Sequence, residues 1–157
     1  MQTAVFGLHG PADPSRWAWD AGGIATVKTA KVTAVKLLTG DGIDATLVDA
    51  LRREGVILFL ARLFFPINGG MVSPADFVHS VRNSALSLYQ AGVRLFEVGN
   101  EMNLRLEGYG SQWKTPEEWA AWYNAVTAAL RPDMPEARFG FPGLSPGASI
   151  PDVRPIG

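Results

Sequence analysis

Short apolar runs alternate with amphipathic stretches along this chain, and that alternation restricts its fold more than any other feature. Ala4 to Leu8, Thr33 to Leu38, Val56 to Phe64, Leu95 to Val98 and Arg138 to Phe141 are each too short for a stable helix and rich in buried-strand residues. Longer stretches with helical spacing of apolar residues lie between them. Strands separated by helices pair in parallel, because each helix returns the chain to the end of the sheet at which it began.

The helix boundaries are marked by individual side chains. Thr115-Pro116-Glu117-Glu118 sets a capping-box threonine and glutamate around a proline at the first helical position. Trp119, Trp122, Tyr123, Val126, Ala129 and Leu130 then share one face, and Pro132 stops the helix. Ser73-Pro74-Ala75-Asp76 opens another helix in the same way, with Phe77, Val81, Leu88 and Tyr89 as apolar positions and Gly92 as its C-terminal cap. Asp44 caps a short helix ending at Gly55, and a first helix is placed loosely between Ser15 and Ala30, interrupted by Gly22-Gly23.

The resulting order, β-α-β-α-β-α-β-α-β, defines an α/β chain expected to form part of a (β/α) TIM-type barrel with parallel strands. A doubly wound open sheet is the alternative, but Gly7-Leu8-His9-Gly10 lacks the GxGxxG turn of a dinucleotide site. No low-complexity linker divides residues 1–157, which are expected to make one domain. A full barrel takes about 250 residues, so this one is expected to be incomplete.

Composition narrows the function. A hydrophobic content of 47% and a net charge of -1 describe an ordinary globular chain with no basic stripe for nucleic acid. No apolar run approaches the roughly 20 residues of a membrane span. The start, Met1-Gln2-Thr3-Ala4-Val5-Phe6, lacks the charged and apolar regions of a signal peptide, and the compartment stays open. There is no cysteine, and the two histidines, His9 and His79, lie far apart, so neither a zinc centre nor a Ser-His-Asp site has its material. No metal or organic cofactor is expected.

The most informative segment is Leu95-Phe96-Glu97-Val98-Gly99-Asn100-Glu101-Met102-Asn103. A strand ending in an adjacent amide and carboxylate offers a hydrogen-bond donor for a sugar hydroxyl beside a proton donor for a glycosidic oxygen. The segment resembles the strand-four Asn-Glu motif of clan A retaining glycoside hydrolases, which fold as (β/α)8 barrels. The resemblance implies that Glu101 is the acid/base and that Asn100 contacts the 2-hydroxyl of the sugar. Phe139-Gly140-Phe141-Pro142-Gly143-Leu144-Ser145-Pro146 is similar to the fifth strand and following loop of such hydrolases, and Val35-Lys36-Leu37-Leu38 and Leu60-Ala61-Arg62-Leu63 to their second and third strands. The partner nucleophile of that clan is a glutamate on the seventh strand, so five strands imply half of the machinery. The plain alternative for Asn100 and Glu101 is a solvated turn at a strand end.

Lys36, Arg62 and Glu97 are charges inside otherwise apolar strands, where an unpaired charge is costly. They are expected to form a polar layer in which Glu97 meets Arg62 or Lys36, either structural or setting the proton affinity of Glu101. Glu97 and Glu101 are about 13 Å apart along a regular strand and make a poor catalytic pair. Asp13, Asp20 and Glu107 have no motif support as a second carboxylate and are expected to be caps or loop charges. Tyr109 and Trp113, then Trp17 and Trp19, are candidate sugar-stacking surfaces, against ordinary packing under the loops. Trp119 and Trp122 are expected in the core. His9 either lines the cleft or is structural.

Three functional readings remain: a portion of a retaining O-glycosidase, a non-catalytic carbohydrate-binding or self-assembling barrel fragment, and another barrel hydrolase or lyase with Glu101 as base. Carbohydrate is the expected partner in the first two. Association through open sheet edges would relieve the exposure left by an incomplete barrel.

Overall fold

The structure, a computed structural model, describes residues 5–10, 19–39 and 43–146. A single five-stranded, all-parallel open sheet is built from β1 (Gly7–His9), β2 (Ala34–Leu38), β3 (Leu58–Leu63), β4 (Leu95–Val98) and β5 (Arg138–Gly140). Helices α1 (Ala21–Thr29), α2 (Ala45–Arg53), α3 (Pro74–Gln90) and α4 (Pro116–Leu130) alternate with the strands. The strands follow one another in the order β1-β2-β3-β4-β5. A doubly wound sheet reverses its order at a switch point, and this one does not. The arrangement is that of a partial β/α barrel.

The pleat divides the strand residues between two faces. Val35, Leu37, Phe59, Ala61, Leu63, Phe96 and Val98 are buried against the helices. Phe77, Val81, Ala85 and Leu88 of α3 and Trp122, Val126 and Leu130 of α4 close that core from the other side. Burying one large side chain of this kind contributes about 1.5–3 kcal/mol, so this layer supplies most of the stabilisation. The opposite face carries Ala34, Lys36, Leu38, Leu58, Leu60, Arg62, Leu95 and Glu97, with no helix over it among the described residues.

The caps lie where local chemistry puts them. Asp44 accepts from Thr46 N and Leu47 N, Ser73 from Asp76 N, and Thr115 from Glu118 N. Asp20 caps α1 by accepting from Gly23 N, so Gly22 and Gly23 lie within its first turn rather than interrupting it. The expected residues Ser15 to Ala18 of that helix lie outside the described residues. β1 is displaced toward His9, because the chain at Phe6 bonds Thr33, Phe6 N donating to Thr33 Oγ1, while Gly7, Leu8 and His9 pair with Ala34, Val35 and Lys36.

Candidate functional site

The site forms where the register brings charged strand residues side by side. Leu38 lies opposite Arg62, Arg62 opposite Glu97, and Glu97 opposite Gly140. Neighbouring strands are about 4.8 Å apart, so Arg62 and Glu97 on the same face must touch. Arg62 Nε donates to Glu97 Oε1 at 2.5 Å. Lys36, two strands away, spans the gap with its long stem and donates from Nζ to both carboxylate oxygens, at 2.8 and 2.7 Å. The Glu97 side chain is only 9% exposed, and two cations compensate its burial.

Arg62 also reaches beyond the strand. Its Nη1 donates to Asn100 Oδ1 at 2.6 Å, tying the layer to the turn after β4. Gly99 makes that turn at φ +80°, a conformation that glycine adopts without the steric cost of a side chain. Asn100 Nδ2 in turn donates to Glu107 Oε1 at 2.9 Å. A continuous chain of hydrogen bonds thus runs from Lys36 through Glu97, Arg62 and Asn100 to Glu107.

Glu101 is half-buried beside Asn100. Its backbone carbonyl accepts from Leu104 N at 2.8 Å, while its carboxylate has no hydrogen-bond or ion-pair partner among the described residues. The segment that follows folds over itself through a 3-10 turn, Arg105–Glu107, stopped by Gly108 at φ +114°. A Cβ at Gly108 would meet the Trp113 ring carbons at 3.0 Å, so glycine is required there both for conformation and for space. The loop after β3 is strapped to this segment, with Gly69 N donating to Leu106 O and Val72 N to Gln112 Oε1.

The aromatic residues divide. Trp113 is 2% exposed, donates from Nε1 to Met102 O at 2.8 Å and packs on Trp122, so its ring builds the loop and offers no face to a sugar. Of the two expectations for Trp113, its contacts are those of packing under the loop. Tyr109 is half-buried. Trp19 lies half-buried against the core, its ring close to Gly10, and Trp17 and Asp13 lie outside the described residues. Trp119 and Trp122 are core residues. His9, exposed on the open face at the end of β1, approaches Gly10 O at 2.6 Å through Nδ1. A carbonyl only accepts, so Nδ1 is the donor in this contact.

Glu107 is the residue that sequence reasoning passed over as a loop charge. Its contact depends on the 3-10 turn, which no apolar periodicity announces. Hollows of about 300 and 290 Å³ flank Leu60 on the open face; one borders His9 and Lys36, the other Glu97 and Arg138. Among the described residues no group of three or more His, Cys, Asp or Glu is placed to hold a metal ion, and no helix is long and apolar enough to cross a membrane.

Fold and site together define a parallel α/β chain with a charged layer under the C-terminal ends of its strands and, on the segment after the fourth, a half-buried carboxylate without a partner among the described residues. No protein-family model matches the chain, and no curated protein is significantly similar to it.

Proposed function

We propose that the chain carries the acid/base half-site of a retaining O-glycoside hydrolase, with Glu101 as proton donor and Asn100 as a sugar contact. The supporting observation is the Glu101 carboxylate, half-buried and without a protein partner among the described residues, next to an amide that Arg62 and Glu107 hold in place. A carboxyl group with no structural duty is free to exchange its proton with a ligand. Glu101 would protonate the glycosidic oxygen as its bond to the anomeric carbon breaks and a second carboxylate bonds that carbon, then take a proton from the water that displaces this carboxylate. The second carboxylate, at about 5–5.5 Å in retaining enzymes, is not assigned within the chain.

Glu101→Gln tests the reading on aryl glycosides and oligosaccharides. General acid catalysis contributes about 10²–10⁴-fold, so substrates with poor leaving groups should lose about that much turnover, and activated aryl glycosides less. Equal turnover by both proteins, or none from folded wild-type chain, would sink the assignment.

The open sheet face favours a second reading, a barrel fragment that binds carbohydrate without catalysis or assembles with its own kind. Leu58 is 42% exposed, and parallel sheets are normally covered on both faces. Assembly is compatible with the catalytic reading where it covers the face and leaves the strand ends open.

A further inference from the structure

We propose that Glu107 is a positioning residue that, with Arg62, clamps the Asn100 amide in one orientation and aims its remaining N–H at a hydroxyl of a bound sugar. The function of the clamp rests on the glycosidase reading of this site; its geometry does not.

Arg62 Nη1 donates to Asn100 Oδ1 at 2.6 Å, and Asn100 Nδ2 donates to Glu107 Oε1 at 2.9 Å. A guanidinium only donates and an ionised carboxylate only accepts. A flipped amide would set donor against donor and acceptor against acceptor, so one orientation survives. Both hydrogen bonds involve an ionised partner and are stronger than neutral ones. An asparagine amide has two N–H groups, and Glu107 takes one.

Each jaw of the clamp is itself held. Arg62 is fixed by Glu97, which also binds Lys36, so this side is anchored in three strands of the sheet. Glu107 is fixed by the 3-10 turn, in which its N–H donates to Leu104 O at 3.1 Å and Gly108 N to Arg105 O at 3.2 Å. An amide held from both sides cannot rotate to find another partner when the sugar lacks a hydroxyl there. Sites built this way discriminate strongly against the analogue that lacks the group.

The test uses the full chain labelled with ¹⁵N, the Asn100 side-chain signals being identified by their loss in Asn100→Asp. In wild type the two Nδ2 protons should be widely split, because one faces a carboxylate. In Glu107→Ala the splitting should collapse while the backbone signals of the sheet and α4 stay in place. Glu107→Gln keeps an acceptor oxygen and the side-chain shape; it should show a smaller collapse and serves should the alanine variant unfold. On 4-nitrophenyl glycosides, Glu107→Ala should reduce the preference for the parent sugar over its 2-deoxy analogue by about tenfold, the value of one oriented hydrogen bond. An unmoved Asn100 pair in a folded Glu107 variant overturns the clamp, and an unchanged preference overturns its role in hydroxyl recognition. Failure of the Glu101 reading is distinct: it appears as equal turnover in Glu101→Gln, or as none from the folded wild-type chain, and leaves the Asn100 signals split.

Discussion

Glu97 sits at the centre of the polar layer, and the two cations around it are not equivalent. Among the described residues the Lys36 side chain bonds Glu97 alone, whereas that of Arg62 bonds both Glu97 and Asn100. Replacing Glu97 by glutamine leaves two largely covered cations without a counter-charge. Removing one partner of a buried pair costs about 3–5 kcal/mol, and the open face, which lets water reach Lys36 and Arg62, reduces this to about 2–3 kcal/mol. Lys36→Met leaves Glu97 paired with Arg62 and should cost about 1 kcal/mol. Urea unfolding of the two variants measures the difference. A Lys36→Met loss equal to that of Glu97→Gln would contradict this division of roles. The charges themselves were legible in the sequence, since three ionisable residues in apolar strands have to find one another. The extension to Asn100 and Glu107 was not, because it depends on Gly99 turning the chain and on a 3-10 turn of three residues, neither of which has a periodic signature.

Among the elements, α4 shows how locally a boundary is set. Thr115 Oγ1 accepts from Glu118 N at 3.2 Å, and Glu118 Oε2 accepts from Lys114 N at 2.6 Å, one residue before the cap. Thr115→Ala should cost about 1 kcal/mol in urea unfolding, and Thr115→Ser should recover most of it. The carboxyl of Glu117 is held below its ordinary value, first by a hydrogen bond from its own backbone N–H and second by the Thr115 hydroxyl. A depressed carboxyl stabilises the fold above its unfolded value, and that contribution is lost as the pH falls through the folded value. In Thr115→Ala the Glu117 midpoint, followed by NMR titration, should move upward toward the free glutamate value; an unmoved midpoint would leave the hydroxyl without a part in it. Caps of this kind made the starts of α2, α3 and α4 legible, because each depends on residues within three positions. The start of α1 was less so: the glycine pair suggested a break, whereas Asp20 places both glycines in the first turn, where the amide of Gly23 needs a side-chain acceptor. Strand ends were softer still, since β1 is bounded by its bonds to Thr33 and Lys36, far away in sequence.

At the scale of the whole molecule, the sheet presents a problem that its own described elements do not solve. β1 and β5 each have one strand neighbour, and the face between them exposes Leu58 beside the hollows around Leu60. Edges of this kind pair with other strands, and parallel sheets are stable when both faces are covered. A second copy would offer a matching surface. A two-fold axis along the strands would set β5 of one copy beside β1 of its partner in the parallel sense, and the two open faces would meet across the axis. The same symmetry would turn the strand ends that carry Glu101 toward one end of the assembly. Self-association should therefore appear in sedimentation or light scattering as a mass that rises from one chain toward two with concentration. Leu58→Lys puts a charge where the side chain is already in contact with water, so it should leave the helix content unchanged and return the chain to a monomer. A wild-type chain that stays monomeric and folded at every concentration would exclude closure by a second copy, and a dimer indifferent to Leu58→Lys would place the contact on another surface.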